Sequence, residues 1–312
     1  MQAVADVGSK AGGEQKSAQR SSRQALTSLR VALLSICFVV FITCSWFALH
    51  TAYILHCWSD GHSSIVTHNY KSAEEYYRKA VVADAAVGKS HLYLASALLR
   101  ESKLAQAIPE LYFAADSDLT DFRVRLLLGD VLVATRNPVQ AEQIYRQAIA
   151  ISPKLAEAHV KLGGCLLNLH RAQDAVIEFQ YATLLDPKNV KANTNLGFLL
   201  LANRQRRDGL TYLQRAVDAA PNDLAVRNNL AMEYVRARMN SQAAEEFRAE
   251  IAIDPQYAIA YFNLGNALKD MHNKRGAISA YQSYLRVCEN NPREQVAVMR
   301  AVKELRALNS NH

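Results

Sequence analysis

The sequence predicts an all-α fold, a solenoid of helix–turn–helix repeats preceded by one transmembrane helix. Two observations carry this. Pro153, Pro187, Pro221 and Pro255 are evenly spaced in the sequence. Their period of ~34 residues is that of stacked helical hairpins. Proline lacks an N–H and its ring clashes with the preceding turn, so each one separates a hairpin from the next. Upstream, the whole of Val31–Leu55 carries no formal charge.

Residues 1–30 are rich in Ser, Gln, Ala and Gly and poor in large apolar side chains, which predicts a disordered tail. They hold Lys10, Lys16, Arg20, Arg23 and Arg30 against Asp6 and Glu14, so three of the chain's seven net positive charges lie there. The four that remain on 31–312 are a modest bias and predict no nucleic-acid partner, which would need a clustered stripe.

At ~1.5 Å per residue, 31–55 is long enough to cross the ~30 Å hydrocarbon core as a helix. A cleaved signal peptide would have an apolar region of only ~7–15 residues ending in small residues, so an uncleaved, single-pass anchor is preferred. The basic residues precede the span, and the first one after it is Lys71. By the positive-inside rule the N-terminus is cytoplasmic and the repeats lie on the non-cytoplasmic side, the periplasm if the membrane is a bacterial inner membrane. The basic tail beside the membrane would add weak attraction to anionic lipids.

Residues 56–70 read as a juxtamembrane linker. His50, His56, His62 and His68 recur at a regular interval around it, with Cys57 among them. That spacing puts no two neighbours on one helix face, so solvated histidines are expected rather than a metal site. The five cysteines contain no CxxC pair and predict neither a zinc ribbon nor a disulfide framework, and Cys165 is expected as a buried thiol.

Full repeats are assigned to 88–121, 122–155, 156–189, 190–223, 224–257 and 258–291, after a half-repeat at 71–87. Within each, place 7 is leucine (Leu94, Leu128, Leu162, Leu196, Leu230, Leu264), and place 8 is tiny (Ala95, Gly129, Gly163, Gly197, Ala231, Gly265). Place 20 is also small (Ala107, Ala141, Ala175, Gly209, Ala243, Ala277), and place 24 is large and apolar (Leu111, Tyr145, Phe179, Leu213, Phe247, Tyr281). Small residues let two helix backbones approach, and large ones fill the space beside them. Pro292 falls slightly later than the period requires, and 292–312 reads as a capping helix and tail, with Val298, Val302, Leu305 and Leu308 on one face.

Leu-Gly, Ala, aromatic, Ala and Pro at Leu162-Gly163, Ala175, Phe179, Ala182 and Pro187 resemble the tetratricopeptide repeat (TPR) family, over about two-thirds of the chain. The family's favoured tryptophan at place 4 is replaced by His91, Arg125, His159, Asn193, Arg227 and Tyr261. The resemblance implies a right-handed superhelix with the first helix of each unit on its concave wall, facing a ligand through places 2, 5, 6, 9 and 13.

On that reading the peptide- or protein-binding residues are Lys161, Lys191, Asn195, Phe198, Asn228, Asn229, Met232, Arg236, Phe262, Asn263 and Asn266. An amide offers both donors and an acceptor, so a row of them can hold an extended peptide backbone. Lys161, Lys191 and Arg236 are placed to meet acidic groups. The alternative is a structural role in which each Asn bonds neighbouring backbone and aids stacking. Val160 and Gly164 stand where a carboxylate clamp for chaperone tails would need Lys and Asn.

No Gly-rich phosphate loop, His-Glu-x-x-His or nucleophile elbow occurs. The expected protein is therefore not an enzyme and carries no cofactor. It is a membrane-anchored scaffold for protein or peptide partners, supporting assembly of an envelope complex, with self-association left open. The alternative is an accessory factor in cytochrome maturation, or in polysaccharide export or secretion.

Overall fold

The computed structural model describes residues 3–118, 120–288 and 295–310, with 3–32 and 295–297 described by backbone alone. Among these residues there are fifteen helices and no strand. They are α1 (Ala3–Val66), α2 (Tyr70–Ala83), α3 (Gly88–Arg100), α4 (Leu104–Ser117), α5 (Phe122–Ala134), α6 (Pro138–Ile151), α7 (Ala156–Asn168) and α8 (Ala172–Leu185). The series continues with α9 (Val190–Ala202), α10 (Arg206–Ala219), α11 (Leu224–Arg236), α12 (Asn240–Ile253), α13 (Ala258–Asp270), α14 (Lys274–Cys288) and α15 (Gln295–Ser310). The chain divides into two compact units, Met1–Asp118 with α1 to α4 and Leu119–His312 with α5 to α15.

The first unit corrects the sequence reading at three points. Where a disordered tail at 1–30 and a linker at 56–70 are expected on either side of the anchor, one helix runs from Ala3 to Val66. The tail has no proline and many good helix formers, so it forms backbone hydrogen bonds without needing an apolar face. The supposed linker is the first helix of a complete repeat, 54–87, rather than an addition to a half-repeat. Ile54 and Cys57 are buried with Ala80 of α2, and a Cβ on Gly61 would lie 2.3 Å from the Tyr77 ring. Gly61 therefore fills place 8 of a unit whose place 24 is Tyr77. Before this contact begins, the apolar residues Leu33 to Tyr53 are largely exposed. The segment Leu33–Val66 is long and apolar enough to cross a membrane.

In the second unit five helical hairpins follow one another, α5/α6 to α13/α14, each packed on the next. Rings at place 24 lie over small residues at place 8, as Tyr145 does over Gly129 and Phe179 over Gly163. The rings themselves are fully buried. α15 closes the end: Ala301 is buried in the cluster of Phe247, Tyr281 and Tyr284, and Val298, Leu305 and Leu308 pack against it. Pro292 lies outside the described residues.

Turns between the two helices of a hairpin share one geometry. His68, Ser102, Arg136, His170, Arg204, Arg238 and His272 recur with the period of the prolines and have φ between 58° and 64°. Each ends a first helix in a Schellman motif: the His170 N–H bonds the Leu167 carbonyl at 3.0 Å and the Arg171 N–H the Leu166 carbonyl at 2.9 Å. None of the seven is glycine.

Place 4 shows why no tryptophan is needed there. His91, His159, Asn193, Arg227 and Tyr261 each reach an upstream backbone carbonyl at the same offset, that of Ala85, Pro153, Pro187, Pro221 and Pro255. A polar side chain here satisfies a loop carbonyl that the preceding turn leaves without a helical partner. Arg125 does similar work on the Asp121 carbonyl. His91, His159 and Arg227 also pair with Glu110, Glu178 and Glu246 at place 23. Glu178 is thus tied into its repeat, and its bond at 2.8 Å holds the His159 imidazole above its usual pKa.

Candidate functional site

Successive first helices touch through a repeated register, in which place 6 of one repeat meets place 9 of the repeat before it. In the second unit Lys161 Nζ lies 2.7 Å from Asp130, and the Asn263 amide nitrogen lies 3.9 Å from the Met232 sulfur. In the first unit Tyr93 packs edge-on against His62, ring centroids 4.6 Å apart. Place 24 supports the same residue from below. Tyr145 donates to Asp130 at 2.8 Å and Tyr281 to Asn266 at 2.7 Å. Burial, and the bond to Asp130, push the Tyr145 phenol well above its usual pKa, so it stays a donor.

The residues singled out from the sequence fall into three groups on this wall. Asn195 and Asn229 are half-buried and make no hydrogen bond among the described residues, and Asn263 makes only the long contact to sulfur. Asn228 has its side-chain oxygen buried without a partner. These four amides keep unused hydrogen-bonding capacity, whereas Asn193 spends its amide on the Pro187 and Asn189 carbonyls. Asn266 is partly used, as the acceptor for Tyr281.

The second group is packed more than presented. Phe198 leans on the cluster of Leu210 and Leu213, Met232 on that of Phe247 and Tyr281, and Phe262 against Tyr281 and Tyr284 at 5.8 and 5.4 Å. The third group corrects an expectation. Lys161 and Arg236, expected to await acidic ligand groups, already pair inside the chain, Lys161 with Asp130 and Arg236 with Glu233. Lys191 alone of the three is exposed with no ion pair among the described residues.

Sequence reasoning missed the equivalent wall in the first unit. Trp58 donates to Ser90 at 3.0 Å and packs edge-on against Tyr93, and His62 lies between Tyr93 and Tyr77. Assigning 56–70 to a linker hid this cluster, although Gly61, one full period before Ala95, was a usable signal. Tyr234 sits beside Leu210 and Met239. Among the described residues no three His, Cys, Asp or Glu side chains converge to hold a metal ion. Cys165 is buried and donates to the Pro138 carbonyl at 3.1 Å, and burial raises its pKa.

A family model described as a tetratricopeptide repeat matches residues 65–118 and 126–190. No curated protein matches the chain. Among solved structures, YrrB, described as a TPR protein with an unusual peptide-binding site, is 22% identical over 62% of this chain and 97% of its own, with a TM-score of 0.51. PilW, described as a type IV pilus biogenesis factor, is 22% identical over 68% of this chain and 98% of its own, TM-score 0.53. A repeat protein from Parabacteroides merdae is 14% identical over 80% of this chain and 99% of its own, TM-score 0.56. At these identities the likeness concerns the fold.

Proposed function

We propose, from the premise that this chain is built of tetratricopeptide repeats, that it is a membrane-anchored scaffold holding an extended segment of a partner protein along its first-helix wall. The observation that carries this is the unused hydrogen-bonding capacity of Asn195, Asn228, Asn229 and Asn263. The Asn228 oxygen, buried without a partner, costs stability unless a ligand completes it, and the other three amides are left open to a ligand. Were they stacking devices, they would bond neighbouring backbone as Asn193 does. The wall is the concave one in this reading, and Lys191 adds a cation at its edge.

The anchor is the apolar stretch that ends where α1 begins to pack on α2. With the basic tail cytoplasmic, the repeats lie on the other side, at a bacterial inner membrane facing the periplasm. Assembly of an envelope complex is the work that fits this placement, and the solved relative PilW is described as a pilus biogenesis factor. A second reading, binding of polymer or glycan, is favoured by the edge-on Trp58–Tyr93–His62 cluster, since aromatic rings offer flat apolar faces. The protein is read as non-catalytic in both.

The test is Asn195→Ala, Asn229→Ala and Asn263→Ala combined. Partner capture is lost while the melting temperature holds or rises. A sharp fall in melting temperature with capture unchanged would establish the structural role instead.

A further inference from the structure

We propose that a groove beside α10, away from the asparagine wall, docks an acidic segment of a partner protein that carries an apolar side chain. The groove has a volume of about 680 Å³, and Leu210, Tyr234 and Met239 supply its apolar lining. Arg206, Arg207 and Arg215 stand around it and are exposed.

The junctions between successive repeats differ in what they hold at equivalent places. Place 21 of one repeat faces place 16 of the next. In the first unit that pair is Glu74 with Lys103, 2.6 Å apart. In the second it is Glu142 with Arg171, 2.8 Å apart. Two periods further on, the same places hold Leu210 and Met239. Here, as at Val176 with Gln205 and Ala244 with Asn273, no salt bridge occupies these places, and the carboxylate that lines the groove is Asp218, which accepts from Gln214.

The arginines remain. Arg204, Arg206, Arg207, Arg215 and Arg238 are all exposed, and none has a carboxylate within ion-pair distance among the described residues. Arg206 also borders a second cavity of about 500 Å³ with Arg204 and Arg236. Arg236 in turn borders a third, of about 740 Å³, with Arg238 and Lys269. Glu233 lines the second cavity and Asp270 the third, so the unpaired cations are concentrated around the first. The Tyr234 hydroxyl is committed to Gln214 at 3.2 Å, and Gln214 to Asp218 at 3.0 Å, which leaves the Tyr234 ring as lining.

The occupant follows from this combination. Lipid headgroups or nucleic-acid phosphates would use the arginines and leave the apolar floor uncovered. A peptide with carboxylates flanking an apolar side chain uses both, since the floor rewards burial and the arginines speed and orient encounter. The site is separate from the asparagine wall, and its failure would leave that reading untouched.

The experiment uses the full chain in phosphatidylcholine nanodiscs. The probe is a fluorescein-labelled peptide alternating glutamate and leucine, read by anisotropy. Binding is expected, weakened about tenfold or more by Arg206→Glu with Arg207→Glu, and unchanged in the triple asparagine variant. Both arginines are exposed, so the melting curve should not move. Met239→Gln, which alters the floor and no charge, should also weaken binding. Absence of binding, or binding indifferent to the arginine pair, would overturn the proposal. So would a glutamate–serine peptide, a DNA duplex or phosphatidylglycerol vesicles binding as tightly as the probe with the same arginine dependence.

Discussion

Gly197 and Gly209 bring α9 and α10 into backbone contact. A Cβ on Gly209 would lie 2.8 Å from the Gly197 carbonyl oxygen, and one on Gly197 would lie 3.0 Å from that of Gly209. A side chain at either position would meet backbone, which cannot move aside as a flexible side chain can. Gly197 would also meet Leu213 at 2.8 Å. Gly197→Leu is therefore expected to lower stability by ~1–3 kcal/mol or more, measured by thermal or urea unfolding. An unchanged curve would mean that the repeat register is wrong.

Glu250 occupies place 27, where Ala80, Ala114, Ala148, Ala182 and Ala216 stand in earlier repeats. Its carboxyl is fully buried and neither oxygen has a hydrogen-bond partner. Burial raises its pKa from 4.5 to about 7, with Arg227 pulling back and Glu246 adding to the rise. A folded-state pKa above the unfolded one means that stability is highest below pH 4.5 and falls as the pH rises towards and through 7. Glu250→Ala should raise stability by on the order of 1–3 kcal/mol at pH 8 and much less at pH 4. Equal effects at both pH values would contradict the assignment.

The His159–Glu178 bond gives a second pH dependence with the same sign. The His159 pKa is raised chiefly by this bond, so its contribution is complete below the ordinary histidine value and is lost as pH rises through the folded value. Glu178→Gln should cost about 1 kcal/mol near pH 5, with the gap to wild type narrowing in alkaline solution. Paired melts across pH would show it, and a gap that widens with pH would refute it.

His170 holds a left-handed conformation, φ 60°, that glycine adopts without steric cost. It is exposed. His170→Gly is expected to stabilise by ~0.5–1 kcal/mol in a urea titration, and destabilisation would show that the imidazole supplies something the backbone geometry does not.

Most of the fold was legible because close helix packing must be restated in every unit. Glycine or alanine at place 8 and a large residue at place 24 recur together with the period, which ties each pair to one helix–helix contact. The first repeat escaped notice because Asp60 replaces the leucine of place 7 and Ala85 replaces the proline, while its first helix is continuous with the apolar span. The candidate site was less legible. Charge and amide content were visible, but whether Lys161 is free or paired depends on Asp130, a residue on another repeat. The same holds for the arginine groove, whose apolar floor brings Leu210, Tyr234 and Met239 together from two repeats.

Photo-cross-linking from residue 229 tests the central claim most directly. A photoreactive residue replaces Asn229 in the membrane-embedded full chain, and Leu184, three-quarters exposed on a second helix, serves as the comparison site. The asparagine-wall account predicts a discrete partner adduct from 229 that disappears when Asn195 and Asn263 are alanine, and none from 184. Adducts confined to the chain's own residues, or equal from both sites, would contradict it.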